Sequence, residues 1–266
     1  MLSLPRFQML KIDYEDIYRI LTVTFNRPEK LNAINDLMKR ELIALLDWIL
    51  SNEDYINVII FTGAGKSFTS GADIEDWRME IEGKKARSKF PSEFALRMSK
   101  IFIPVICAIN GLAVGFGFNL LLWSDYVIAS SEVKFIWPVF AKRGISTELG
   151  SSFLAPRVIG FRKAKQLYIV AEPLTADDAK QLGVVDEVCP SDKLLEEAKA
   201  IARRIAENAP LAVKANKRLI TESMYKTILE SIKFEEEIAE VTYSSEDYIE
   251  AVKAFFEKRK PIFKGK

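Results

Sequence analysis

The feature that most constrains this chain is the alternation of strand and helix patterns through its first half. Residues 17–25 (IYRILTVTF), 57–62 (NVIIFT), 104–109 (PVICAI) and 126–130 (YVIAS) are short, apolar and β-branched, as buried strands are. Between them lie helical patterns. Asn35 offers an N-cap for DLMKRELIALLDWIL, where Leu37, Leu42, Leu45, Leu46 and Ile49 recur at helical spacing. Residues 91–102 read as a second helix, and another begins near Gly117. Strands alternating with helices predict parallel βαβ units with helix-covered sheets, an α/β fold.

The second half reads as helices. They are expected at residues 161–170, 175–182, 191–208, 212–222, 227–240 and 247–256. Thr175 and Asp178 form a capping-box variant, and Gly183 closes that helix. No linker or repeat separates the halves. The expected division is an α/β core over residues 1–200 and a helical C-terminal subdomain over residues 201–266.

Residues 101–123 carry no charge and are long enough to span a bilayer. Pro104, Asn110, Gly111, Gly115, Gly117 and Asn119 interrupt the run. A buried strand, a turn and a buried helix therefore fit better than a membrane span. The N-terminal text MLSLPRFQMLKIDYED has no continuous apolar leader, and FKGK is not a peroxisomal address. A cytoplasmic setting is the expectation.

Charge and rare residues exclude several functions. The 38 Lys+Arg nearly balance the 37 Asp+Glu, for a net charge of +1. That gives no footprint for nucleic acid or acidic lipid. There is no His, which removes Ser-His-Asp and Cys-His nucleophile pairs, His-liganded zinc and imidazole bases. Cys107 and Cys189 form neither a disulfide framework nor a metal site. Any proton carrier must be a carboxylate, Lys, Tyr, Cys or backbone.

Two glycine-rich turns invite a phosphate-binding reading and fail it. Gly63-Ala-Gly65-Lys66-Ser67 lacks the earlier glycine of a P-loop, because position 60 is Ile. Gly115-Phe-Gly117 lacks the third glycine of a dinucleotide fingerprint, because position 120 is Leu. Either these glycines only make tight turns, or they leave backbone N–H groups exposed near a ligand. In the second case SFTSGAD and NGLAVGFGFN could aim two N–H donors at one developing oxyanion, as suits an enolate beside a thioester carbonyl.

At these loops the chain resembles the enoyl-CoA hydratase/isomerase (crotonase) superfamily. The matching text is Asn26-Arg-Pro-Glu-Lys-Leu-Asn-Ala-Ile34, Lys66-Ser-Phe-Thr-Ser-Gly-Ala-Asp-Ile74 and Ile109-Asn-Gly-Leu-Ala-Val-Gly115. Further along come Leu149-Gly-Ser-Ser with Pro156-Arg157, Leu174-Thr-Ala-Asp-Asp-Ala179, Gly183-Val-Val-Asp-Glu-Val188 and Phe255-Phe-Glu-Lys-Arg-Lys-Pro261. The resemblance implies a stacked ββα spiral core with a helical C-terminal trimerisation region, assembled as a homotrimer or hexamer. It implies acyl-CoA substrates and no metal or other cofactor. It puts the oxyanion N–H groups at Ala72 and Phe116. CoA would lie along Lys30, Leu31, Ser70, Gly71, Asp73 and Ile74. Phe255 and Lys258 of a neighbouring subunit would complete the site.

Departures from the family pattern carry the functional expectation. Hydratases use two Glu to hold one water, and those positions are here Asn119 and Val139. Glu148 instead matches the single acid of double-bond isomerases, although Thr147 replaces the usual Pro before it. The expected activity is 3-to-2 enoyl-CoA isomerisation, with Glu148 as the proton shuttle. A hydratase or other enolate-forming lyase using Asn119 and Glu148 is the alternative, and a catalytically silent CoA-binding or assembly subunit is another. Without the resemblance, Glu148 reads as a solvated partner of a helix start, and only its family position favours a catalytic role. Asn119 is either a polar pocket residue or a helix-start residue. Trp77, Phe116, Trp137 and Phe140 line either an acyl pocket or the core.

Overall fold

A computed structural model describes residues 2–266. The chain opens with a hairpin of β1 (Leu10–Glu15) and β2 (Ile20–Phe25), antiparallel with Leu10 opposite Phe25. β1 is absent from the expectations, although Leu10, Ile12 and Tyr14 alternate with Lys11, Asp13 and Glu15. β2 starts later than expected, because the chain turns just before it and Arg19 takes a left-handed φ of 53°. α1 (Asp36–Ser51) begins where Asn35 accepts from the Met38 N–H, as anticipated. Its inward face is Met38, Leu42, Leu45, Leu46 and Ile49, with Glu41 buried among them. The Glu41 carboxylate is tolerated there because it accepts from the N–H groups of Gln8 and Met9, each at 2.8 Å.

The chain then coils. β3 (Val58–Gly63) is followed by β4 (Ser67–Thr69), α2 (Ile74–Ile81) and α3 (Phe90–Met98). The next coil is β5 (Val105–Ile109), β6 (Leu112–Val114) and α4 (Phe116–Leu121). After it come β7 (Tyr126–Ser130), β8 (Ile136–Trp137), α5 (Ser151–Ile159), α6 (Phe161–Val170) and α7 (Ala176–Leu182). β9 (Glu187–Cys189) closes the series. The odd-numbered strands from β3 onward join the hairpin in a six-stranded sheet of order β1-β2-β3-β5-β7-β9. The even-numbered strands form a second sheet, β4-β6-β8. Every strand–strand pairing outside the hairpin is parallel, and Ile136 of β8 adds one antiparallel bridge to Leu174. Each coil thus deposits one strand in each sheet, a parallel-sheet spiral of the crotonase kind.

Strand periodicity sorts the core onto two faces. Leu21, Val23, Phe25, Ile59, Phe61, Val105, Cys107 and Ile109 point toward α1, α3 and α4. Ile20, Val58, Ile60, Ile106, Ala108 and Ile128 point the other way. There they meet Leu194, Ala198 and Ala202 of α8 (Leu194–Ala206). Burying each large aliphatic side chain contributes about 1.5–3 kcal/mol. Burial pushes the Cys107 thiol up to about 12, so it is an inert core residue. The uncharged run 101–123 becomes β5, β6 and α4, and no helix among the described residues is long and apolar enough to cross a membrane.

The C-terminal helices are α9 (Pro210–Ser223), α10 (Ile228–Tyr243) and α11 (Glu246–Glu257). Position 200, the expected division, falls inside α8, which packs on the sheet. The anticipated Thr175–Asp178 capping box is present at α7, and Gly183 terminates that helix with φ 89°. α5 was not anticipated, because Pro156 lies within it.

Candidate active site

The three groups singled out as chemical follow three neighbouring strands. Ala72 comes after β4, Phe116 after β6 and Glu148 after β8. These strands are parallel, so the three connections leave the same edge of the small sheet. Neighbouring strands lie about 4.8 Å apart, so the turns after β4 and β6 come together, and Asn119 of α4 reaches the Glu148 backbone carbonyl.

Two glycines shape the donors. Gly71 takes φ 84°, and a Cβ built on it would fall 2.7 Å from the Val114 carbonyl oxygen and 3.8 Å from the Gly115 Cα. Only a residue without Cβ lets the two turns approach so closely. Gly115 takes φ 56° and ψ −104°, a conformation essentially closed to L side chains. Beyond Gly71, Ala72 pairs with Ile34 in a parallel bridge. The Ile34 N–H donates to the Gly71 carbonyl at 2.8 Å, and the Asp73 N–H to the Ile34 carbonyl at 3.3 Å. That pattern turns the Ala72 N–H to the opposite side. The Phe116 N–H is the first of α4 and has no helical acceptor. Among the described residues neither N–H has a hydrogen-bond partner.

The strip expected to carry CoA is knitted together by Asn32, which the sequence reading did not single out. Asn32 is fully buried with φ 55°. It accepts from the Arg27 N–H at 2.8 Å and donates to the carbonyls of Ala64 and Ser67 at 2.9 and 2.7 Å. Thr69 Oγ1 donates to its carbonyl at 2.7 Å, and the Ser70 N–H donates to that of Leu31 at 3.0 Å. Lys30, Leu31, Ser70, Gly71, Asp73 and Ile74 are thereby brought into one strip. Ile74 is exposed, and Asp73 caps α2 through the Glu75 N–H at 3.0 Å. Burial would raise the Asp73 carboxyl, but the Arg27 guanidinium beside it and that N–H hold it below its ordinary value.

Glu148 stands at the end of the β8–α5 connection. Burial pushes its carboxyl up, helped by Glu80 and opposed by Arg87 and Lys39. Its backbone, by contrast, is gripped. Asn119 Nδ2 and Ser151 Oγ donate to the Glu148 carbonyl at 2.9 and 2.7 Å. Trp123 Nε1 donates to the next carbonyl, that of Leu149, at 2.8 Å. Leu149 and Gly150 both have left-handed φ, 57° and 70°. Asn119 is fully buried inside α4, and its Oδ1 accepts from the Tyr168 hydroxyl at 2.9 Å. Both ends of its amide therefore engage protein. Val139 is buried, with Cγ1 3.7 Å from a Cβ built on Gly115.

The aromatics divide. The Phe116 ring packs in the core against Phe25, Phe90 and Phe94, at 6.3, 5.5 and 5.1 Å between centroids. Phe140 is buried against Tyr168, and Trp137 donates to the Ala171 carbonyl at 2.6 Å. Trp77 is half-buried on α2. Gly63–Ser67 is the β3–β4 turn, pinned to the β5–β6 turn by Asn110. Phe255 is 79% exposed on α11, and Lys258 ends that helix with φ 56°. α11 makes no substantial packing contact with the elements carrying Ala72, Phe116 or Glu148.

The enoyl-CoA hydratase/isomerase family model matches residues 16–266. A 1,2-epoxyphenylacetyl-CoA isomerase from Escherichia coli K12 is 33% identical over 252 residues, covering 93% of this chain and 95% of that protein. A short-chain-enoyl-CoA hydratase from Clostridium acetobutylicum is 37% identical over 245 residues, covering 91% and 93%. The crystal structure of an enoyl-CoA hydratase from Bacillus anthracis superposes with a TM-score of 0.88 at 29% identity, covering 97% of this chain and 100% of the other. With a spiral of two parallel sheets, two paired glycine turns and a match over nearly its whole length, the chain belongs to the enoyl-CoA hydratase/isomerase family of enzymes that act on acyl-CoA thioesters.

Proposed function

We propose that the protein is an enoyl-CoA isomerase that moves a double bond from the 3- to the 2-position. The observation that carries this reading is the set of side chains around the two N–H groups. Position 119 is an amide engaged by Tyr168 and by the Glu148 backbone, and position 139 is a buried valine. Glu148, whose backbone carbonyl Asn119 holds, is the remaining acid, and its carboxylate has no hydrogen-bond or ion-pair partner among the described residues.

One carboxylate suffices for the reaction. Glu148 removes a proton from C2 of the 3-enoyl thioester, and the electron pair moves onto the thioester oxygen. The N–H groups of Ala72 and Phe116 hold the resulting enolate. As the enolate collapses, a C2=C3 bond forms, the C3=C4 bond opens, and the protonated Glu148 returns its proton to C4. No metal or redox cofactor enters this scheme. A raised carboxyl holds the transferred proton well enough to return it to carbon.

On this reading CoA lies along Lys30, Leu31, Ser70, Gly71, Asp73 and Ile74. The active protein is a homo-oligomer, a trimer or a hexamer. Phe255, Phe256, Ile228 and Leu229 are 79%, 77%, 73% and 70% exposed on α10 and α11, a cost that assembly would remove. Phe255 and Lys258 would then reach a neighbour's site.

The test is product analysis of purified protein with a 3-enoyl-CoA and a 2-enoyl-CoA. The expected product is 2-enoyl-CoA from the first, lost in Glu148→Gln. Full turnover in Glu148→Gln, or binding without turnover in the native protein, overturns the reading. A hydratase is the second reading, favoured by the 37% identity to the Clostridium acetobutylicum hydratase. Hydroxyacyl-CoA as the dominant product would establish it instead.

A further inference from the structure

Tyr168 lies on the inward side of α6, yet its hydroxyl reaches the carbonyl oxygen of the Asn119 side chain at 2.9 Å. Its ring is held edge-on by Phe118 and at a tilt by Phe140, with centroids 5.9 and 6.3 Å away. Burial raises the phenol above its ordinary value, with the hydroxyls of Ser151 and Thr147 opposing, so it is a proton donor at neutral pH. Asn119 has one acceptor end and one donor end. With Tyr168 donating to Oδ1, the amide must turn Nδ2 toward the Glu148 carbonyl, where it is found at 2.9 Å. The opposite flip would set two carbonyl oxygens against each other, while the Tyr168 hydroxyl anchors the other end of the amide. The segment so held needs holding, because Leu149, next in sequence, sits at a left-handed φ of 57° without being glycine.

We propose that Tyr168 is a positioning residue for Glu148: its hydrogen bond anchors the Asn119 amide, which in turn holds the backbone that carries the Glu148 carboxylate. This rests on Glu148 being the base of the isomerisation. Tyr168 touches no substrate in this scheme. Its effect falls on the height of the proton-transfer step and not on CoA binding, because the Lys30–Leu31 and Ser70–Ile74 strip is held by Asn32 and not by α6.

The experiment is a double-mutant cycle of Tyr168→Phe and Asn119→Ala, assayed with a 3-enoyl-CoA. Folding and assembly are checked by circular dichroism and size-exclusion chromatography. Tyr168→Phe is expected to lower kcat about tenfold with KM within about twofold, since small misplacements of a reacting group are costly. In the Asn119→Ala background the same change should have little further effect on kcat. Asn119→Asp keeps the shape and the acceptor for Tyr168 but removes the donor, and should lose kcat alike; it serves also if Tyr168→Phe does not fold. Wild-type kcat in Tyr168→Phe or in Asn119→Asp overturns the proposal, as do fully multiplicative effects or a loss confined to KM. Glu148→Gln separates the two claims. If it remains active, the base is misassigned; if it is inactive while Tyr168→Phe is normal, only the positioning role falls.

Discussion

Replacing Gly71 by alanine tests the geometry of the donor pair most directly. Two costs add. The left-handed φ of 84° carries about 1–2 kcal/mol for any L side chain. The new Cβ would also stand 2.7 Å from the Val114 carbonyl oxygen, a backbone atom fixed in β6, and relieving such overpacking typically costs about 1–3 kcal/mol. Around 3 kcal/mol in total corresponds to a Tm lower by about 6–12 °C for a chain of this size. The relief available is to push the two turns apart, which moves the Ala72 N–H away from that of Phe116. Losing one oxyanion donor typically costs about 10²–10³ in kcat. Gly115→Ala is the companion: its Cβ meets nothing nearer than Val139 Cγ1 at 3.7 Å, so only backbone strain applies. That strain alone is about 1–3 kcal/mol, so its Tm should also fall. The assay is thermal unfolding beside steady-state isomerisation. Wild-type Tm and kcat in Gly71→Ala would refute the close approach of the turns. A lowered Tm with kcat within about twofold would refute the role of Ala72.

Glu148 makes a signed prediction in pH. Its folded carboxyl is raised above the ordinary value, so the folded state holds this proton more tightly than the unfolded state does. That stability is full below the unfolded value near 4.5 and is lost as pH rises through the folded value. Glu148→Gln should therefore melt higher than wild type at neutral pH, with the gain vanishing below about pH 4. Isomerase activity should rise with pH through an apparent pKa above 4.5, the value of an unperturbed glutamate. Thr175→Ala removes the hydroxyl that caps α7 and should cost about 1 kcal/mol in urea unfolding, with kcat unchanged.

What could be read from the sequence was local. β3, β5 and β7 are runs of five or six mostly apolar residues, and α6 is bounded as the periodicity predicts. The Asn35 cap, the Thr175 capping box and the Gly183 terminus are short-range chemistry, and each is found. The small sheet escaped notice because its strands have only 3, 3 and 2 residues, too short to show a period. β1 did carry a period-2 signal, diluted by its three charges. In the site, only the resemblance separated Glu148 from an ordinary surface carboxylate. Tyr168 and Asn32 were invisible for a different reason. Their partners lie 49 and 35 residues away, and an aromatic ring on the apolar side of a helix looks like packing until its hydroxyl has an address.

The spiral has an evolutionary reading. Because each coil contributes one connection to the same sheet edge, the site is assembled from separable units. On the proposed reading, two coils supply anion-holding backbone, which any side chain except proline can provide, and the third, after β8, supplies the acid. On that reading, exchanging a water-activating pair for a lone shuttle takes changes at position 119 in α4 and in the segment after β8, while the thioester stays where it was. A scaffold of this kind can change reactions without relearning how to bind.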